Sequence, residues 1–317
     1  MASSAEPAPS LCTVCGKDAK YRCAECLDGL TIYGEPKITE YCGKDCQIAH
    51  WTSHKAICKL RNARKHVFRA GDVLRQIYEA HAALMPKEKE SIRDQLNAGS
   101  NMIQWGTELS PPVAMYGMIE SALQGAIVNC EEIGVDVKRM PVTGPMSPEQ
   151  EVQSWFPPTT NIYCAELSDT ATYILDITGA QFGRPSSVVP SNQFAEHFIE
   201  RYIGKCRGGH LVAGFDENLQ AVLRTIKRTG RVSEDSRKIM LIARLRGHMK
   251  AALYAASEAV DDIADLGALV KLPAPEYESK KAILLAHFAT KMAELLDQAR
   301  QAGSFDRWVA RMVAGSK

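Results

Sequence analysis

Eight residues near the start of the chain have the types and spacing of metal ligands: Cys12-x2-Cys15-x7-Cys23-x2-Cys26-x15-Cys42-x3-Cys46-x7-His54-x3-Cys58. They arrive as four pairs. A Cys-x2-Cys pair suits a tight turn whose two thiolates reach one ion. A three-residue gap places Cys42 with Cys46, and His54 with Cys58, one helical turn apart on one face. Zinc takes four such ligands in a tetrahedron, so eight ligands predict two closed sites, with no vacant position for catalysis. Buried free cysteines would be the structural alternative, but apolar neighbours are too sparse here to cover them. The spacing leaves two questions open: whether the pairs combine in sequence or interleaved, and whether the spare imidazole of His50 competes with His54.

The rest of the composition frames this cluster. Seven of the ten cysteines lie in it. Hydrophobic content of 45% and charged content of 24% are those of an ordinary globular protein. No run approaches eighteen apolar residues, so no membrane span is expected. Residues 1–10 lack the basic start and apolar run of a signal peptide. The expected location is the cytosol or nucleus, where structural disulfides are rare and clustered thiols point to metal. The net charge is +1, and seven ionised thiols with two zinc ions would move it only to −2. Residues 12–58 carry six basic and six acidic groups. Neither balance favours a nucleic-acid partner.

The elements that must position these ligands follow from periodicity. Residues 1–11 read as a disordered lead-in and residues 12–58 as the zinc-binding unit. In residues 59–139 a helix over 59–85 places Val67, Leu74, Ile77, Tyr78 and Leu84 at three- and four-residue steps until Pro86 closes it. A second helix after Pro111-Pro112 carries Met115, Met118, Ile119, Leu123 and Ile127 and ends near Gly134. Five prolines between Met140 and Pro158 mark a loop or linker over 140–158. Residues 159–317 read as mainly helical with one β-hairpin at 162–177, turned at Ser168-Asp169. There Ser191 would cap a helix carrying Phe194, Phe198, Ile199, Tyr202 and Ile203 that stops at Gly204. Asp216 would cap another, with Leu219, Val222, Leu223 and Ile226 inward. The longest helical patterns run over 233–264 and 276–300. The expected fold class is a small two-zinc finger followed by a mainly α-helical (α+β) domain with a short β-hairpin.

From Tyr41 onward, Tyr41-Cys42-x3-Cys46-Gln47-x3-Trp51-x2-His54-x3-Cys58 resembles the second half of MYND fingers, and the two Cys-x2-Cys pairs resemble the first half. The resemblance covers about 47 of 317 residues. It implies interleaved ligation, with Cys12, Cys15, Cys42 and Cys46 on one zinc and Cys23, Cys26, His54 and Cys58 on the other. It also implies a protein-interaction module that docks a partner segment, in several members a proline-containing peptide, with Gln47 and Trp51 at the positions associated with contact. A rigid indole offers a proline ring a flat surface. The competing role for Trp51 is packing on the finger's own helix. One departure from the family is the gap between Cys26 and Cys42, about ten residues longer than in typical members; residues 28–40 are expected to extend as a surface hairpin, since loop lengthening costs little. A RING finger would place its histidine mid-series and end on Cys-x2-Cys, which this sequence does not do.

Other signals are weaker. Two basic runs, Lys59, Arg61, Arg64, Lys65 and Arg69, then Arg224, Lys227, Arg228, Arg231, Arg237, Lys238, Arg244 and Arg246, read as solvated helix faces. Asp261-Asp262-x2-Asp265 matches a diphosphate-magnesium motif but has no room for the companion motif downstream. Residues 161–181 resemble the histidine-strand, turn, aspartate-strand element of papain-like and transglutaminase-like folds, with Asp176 in place but Asn161 where the base should stand. Cys130, read as late in a helix, Cys164, in a strand, and Cys206 are read as buried apolar residues. Segments typical of SET methyltransferases and the iron signature of prolyl hydroxylases are missing. The expected function is therefore a zinc-binding interaction adaptor. The alternative is a papain-like or transglutaminase-like enzyme, or its inactive relic, in residues 100–300.

Overall fold

The computed structural model describes residues 10–96, 110–138, 159–182, 184–261, 263–301 and 304–315. Two short strands, β1 (Tyr21–Arg22) and β2 (Glu40–Tyr41), pair antiparallel in the finger. Helix α1 then runs from Lys44 to Leu96 without a break. It begins inside the cysteine cluster, so Cys58 falls mid-helix, and it continues past Pro86, where the sequence suggested a stop. A proline deletes one amide donor, which a long helix can absorb. Along its second half, Val67, Ala70, Leu74, Ile77 and Tyr78 bury one stripe against the main core.

After α2 (Ser110–Leu123) come β3 (Asn129–Val137), β4 (Thr159–Glu166), β5 (Thr172–Leu175), a 3-10 turn at Gly179–Phe182, β6 (Val188–Pro190), α3 (Ser191–Phe198) and β7 (Ile199–Arg207). The strands form one antiparallel sheet in the order β6-β5-β4-β3-β7. The expected hairpin is β4–β5, with Tyr163 opposite Leu175, but it is only part of a five-stranded sheet. Two helix readings are corrected here. The helix after Pro112 ends at Leu123, and Ile133, Val135 and Val137 follow a period of two in β3, with Gly134 opposite Gly204. Likewise α3 ends at Phe198, and Tyr202 and Ile203 lie exposed on the edge strand β7 instead of facing inward.

The remaining helices are α4 (His210–Thr229), α5 (Glu234–Glu258), α6 (Leu266–Lys271), α7 (Ala274–Arg300) and α8 (Ser304–Gly315). Ser233 caps α5, its side chain accepting from the Ser236 amide. Asp216 caps nothing: α4 begins six residues earlier, behind Gly209. The buried carboxylate of Glu132 on β3 takes that role, accepting from the amides of Gly209 at 3.1 Å and Leu211 at 2.9 Å. One sheet face, with Tyr163, Tyr173 and Leu175, joins α1, α2, α5 and α7 in the main core. The other face, with Ile162, Cys164 and Ile174, is covered by Phe194 of α3. A third cluster, around Leu219, Leu223, Met240 and Val309, joins α4, α5 and α8.

In the basic run after Cys58 Lys59 is exposed as expected, but Arg61, Arg64, Lys65 and Arg69 are not a solvated face. Arg61 donates to Thr39 Oγ1 at 2.6 Å and Arg64 to Asp169 in the β4–β5 turn at 2.5 Å. Lys65 and Arg69 grip the two carboxylate oxygens of Asp28 at 2.8 and 2.6 Å. Arg69 reaches further, donating to the carbonyls of Leu272 at 2.5 Å and Val270 at 3.2 Å. Residues 28–40 do form a surface hairpin, with Leu30 bridged antiparallel to Pro36 and Ile32 and Tyr33 exposed, but its base is anchored to the helix. They fold back on α1, where the Leu30 amide donates to the Arg61 carbonyl. On the far side of the helix Gly71 touches β6, and a Cβ there would lie inside the Val188 side chain. In the second basic run Arg244 is buried and Arg246 pairs with Asp216, while Arg224, Arg228 and Arg231 are exposed as expected. Asp265 caps α6 by accepting from the Ala268 amide at 2.8 Å, and Asp262 lies outside the described residues.

Burial alone would raise the Asp28 carboxyl, but the Lys65 ammonium and the Arg69 guanidinium hold it below the ordinary carboxylate range. Replacing Asp28 by Asn leaves two cations facing a neutral amide. Asp28→Asn should lower the urea unfolding midpoint by the equivalent of about 2–3 kcal/mol while zinc content stays unchanged. An unaltered midpoint would show that the clamp does not hold the finger to the helices.

Candidate metal centre

Each ligand pair is placed by a local backbone device. Cys12 and Cys15 bracket a turn in which the Gly16 amide donates to the Cys12 carbonyl and the Cys12 amide to the Lys17 carbonyl. Pairing of β1 with β2 carries this turn to Cys42, because the Thr13 amide donates to the Glu40 carbonyl and the Lys20 amide to the Tyr41 carbonyl. The Cys23 amide donates to the Thr39 carbonyl, which sets Cys23 and Cys26 against the far turns of α1. On that helix Cys46 points to the first cluster, and His54 and Cys58, one turn apart, to the second.

Two donor sets result: Cys12, Cys15, Cys42 and Cys46, and Cys23, Cys26, His54 and Cys58, with the donor atoms of each set within 4.8 Å of one another. The interleaved arrangement is thus the one adopted. In the first set Cys15 Sγ lies 3.4 Å from Cys42 Sγ and 3.8 Å from Cys46 Sγ, and Cys42 and Cys46 are 3.5 Å apart. In the second, Cys23 and Cys58 are 3.9 Å apart and Cys26 Sγ is 3.4 Å from His54 Nε2. A tetrahedron with Zn–S bonds of about 2.3 Å has edges of about 3.8 Å, slightly less where one donor is nitrogen. The residues therefore fit two zinc ions, each with four protein ligands.

Electrostatics point the same way. Hydrogen bonding with Cys42, followed by burial and the other thiols, pushes Cys46 up to about 12, and burial with Cys26 pushes Cys58 up. Burial would also raise Cys12, but hydrogen bonds from the Cys15, Cys42 and Val14 backbone lower it to about 6, and a divalent ion among the sulfurs would favour the thiolate form of every ligand. Burial, then the charges of His50 and Arg61, hold His54 below its usual value, which favours the neutral imidazole that a metal ligand requires. His50 is no competitor. Its Nδ1 is 3.1 Å from the hydroxyl of Tyr41, and its ring stacks on His54 with centroids 5.3 Å apart. Tyr41 is fully buried among the ligands of both clusters.

Gln47 and Trp51 lie one turn apart on α1. Trp51 is 39% exposed and presents an edge contact to His54 at 6.2 Å between ring centroids. It is neither enclosed by the finger nor detached from it. The aspartate of the enzyme-like segment is accounted for differently. Asp176 is buried, and both its oxygens accept from the buried guanidinium of Arg184, which lies over the Phe194 ring. A side chain at Gly179 would collide with that carboxylate, which explains the Asp-x2-Gly spacing. Asn161 shares its sheet face with Tyr163 and Ala165, whereas Ile174 and Asp176 belong to the opposite face. The two do not meet across a cleft. Sequence reasoning missed Arg184, Glu132 and Asp28, whose partners are remote in sequence or, for Arg184, carry no motif linking it to Asp176.

Residues 12–58 match the family model described as MYND finger. No solved structure matches the chain at a significant level.

Elemental analysis of protein purified without chelator should give two zinc ions per chain, and a reproducible value near one would refute the paired sites. Strong chelation should unfold the turns and strands before α1 while most of the helical circular-dichroism signal persists, since α1 beyond the finger is held by its own apolar stripe. A third expectation concerns the free thiols. Burial pushes Cys130 up to about 12 and Cys164 up to about 11, and burial with the Glu132 carboxylate raises Cys206. A nucleophile must be a thiolate. In zinc-loaded protein, iodoacetamide should label these three more slowly than free cysteine at pH 7, with the rates of Cys130 and Cys164 still rising above pH 10. Fast, pH-independent labelling at neutral pH would overturn this.

Proposed function

Taking residues 12–58 as a MYND finger holding two zinc ions, we propose that the chain is an interaction adaptor in the cytosol or nucleus whose finger docks a segment of a partner protein on the α1 face containing Gln47 and Trp51. The observation that carries this reading is the exposure of Trp51 on a helix stiffened by three zinc ligands. The indole makes an edge contact with the His54 ring, yet remains open to solvent. Preorganised aromatic surface of this kind binds at little entropic cost, and a proline ring is a natural occupant. The finger is also rich in exposed apolar side chains, among them Tyr21, Ile48 and Ile57, whereas the helical body keeps most of its large apolar groups inside. An interaction role for the finger gives those groups a use. The body behind it, fixed to the finger through Asp28, Lys65 and Arg69, presents that surface rigidly.

The enzyme-like alternative loses its main support with the burial of Asp176 against Arg184, since both carboxylate oxygens are engaged. The test of docking is Trp51→Ala. Partner capture should be abolished while zinc content and melting temperature stay near wild type. A drop in stability of roughly 3–5 kcal/mol, as for a buried aromatic, with loss of zinc would instead assign Trp51 to the finger's own packing.

A further inference from the structure

The docking face has a charge pattern that narrows its partner. Lys44, Ile48, Trp51 and Lys55 follow one another at steps of four, three and four, so they form one outward stripe on α1. Ile48 is 62% exposed, and both lysines are exposed. Among the described residues neither Lys44 nor Lys55 has an ion pair or hydrogen bond to its side chain. Of the other cations nearby, Arg22 is engaged with Glu40, Arg64 with Asp169, and Lys65 and Arg69 with Asp28, whereas Lys17, Lys20 and Lys37 precede α1 and so lie off its stripe. None of the six carboxylates of residues 12–58 pairs with either lysine. Asp28 and Glu40 are consumed by those pairs, and Asp45 lies about 100° around the helix from Lys44. The stripe is therefore an apolar and amide centre, Gln47, Ile48 and Trp51, with an uncommitted cation at each end.

Resting on the docking reading above, we infer that the finger selects an extended partner peptide whose apolar, proline-bearing centre is flanked on both sides by carboxylates. Lys44 and Lys55 are eleven residues apart on α1, or about 16 Å at 1.5 Å per residue. A polyproline-type strand covers about 3.1 Å per residue, so the two carboxylates stand five positions apart. The centre supplies contact area over Ile48 and Trp51, and the flanking pairs set register and disfavour basic or neutral segments alike. Nucleic acid fits the same cations less well. Residues 12–58 carry as many carboxylates as cations before the ionised zinc thiolates are added, so a polyanion would be repelled beyond these two lysines.

The experiment uses the full zinc-loaded chain and two synthetic peptides, Glu-Pro-Pro-Leu-Pro-Glu and the same sequence with Gln at both ends, titrated by fluorescence anisotropy. Each exposed ion pair strengthens binding by up to about fivefold, so the acidic peptide should bind roughly tenfold more tightly at low salt. The gap should close at 1 M salt, where the Debye length is about 3 Å. The paired substitution K44E/K55E should reverse the preference, and K44Q/K55Q should erase it, both with two zinc ions and an unchanged melting temperature. Equal binding of the two peptides, still abolished by Trp51→Ala, would overturn the charge selection and leave the docking reading intact. Binding of neither peptide at millimolar concentration, or efficient displacement of the acidic peptide by a single-stranded oligonucleotide, would overturn the inference, the former together with the docking reading.

Discussion

The structure depends on one continuous helix serving two cores. α1 supplies Cys46, His54 and Cys58 to the zinc sites and, three turns later, Val67, Ala70 and Leu74 to the main hydrophobic core. A helix transmits orientation because each turn fixes the next through its hydrogen bonds. Once zinc sets the azimuth of His54 and Cys58, the direction of every later side chain on α1 is set as well. The finger is consequently not a bead on a string. The face of α1 that carries Trp51 keeps a fixed relation to the helices behind it, reinforced by the clamp of Lys65 and Arg69 on Asp28.

The long segment between Cys26 and Cys42 gains its meaning from that arrangement. Extra loop length costs little conformational entropy, and here it carries Asp28 back to Lys65 and Arg69 and Leu30 to the Arg61 carbonyl. Arg69 then continues the chain of contacts to the carbonyls before α7. The basic run on α1 is therefore the seam between finger and body. Lys44 and Lys55, upstream of the seam, make no side-chain ion pair or hydrogen bond among the described residues.

Two buried carboxylates in the body illustrate how acidic groups become structural. Asp176 meets Arg184 and closes the connection between β5 and β6, and Glu132 satisfies the free amides at the start of α4. A buried charge is tolerable when its hydrogen-bonding capacity is filled, and filling it removes the group from chemistry. The sheet that carries them acts as a wall between the main core and α3, which is a scaffold's role.

The ligand types and their spacing determined the two zinc sites, since four-coordinate zinc leaves few other uses for seven cysteines and a histidine in forty-seven residues. The helical periodicity of α1 and the hairpin β4–β5 were equally legible, because both rest on local side-chain alternation. Which pairs share an ion was not local. It follows from β1 pairing with β2 and from Cys23 pairing with Thr39 across residues 28–40. The strands β3 and β7 were read as helix ends because a short apolar run with one glycine suits either period, and only the sheet partner decides between them. The destinations of Lys65, Arg69, Glu132 and Arg184 were likewise fixed by tertiary structure. A charged side chain carries no sequence signal of its partner when that partner arrives from a distant strand or an inserted loop, since Coulomb attraction acts through space and not along the chain.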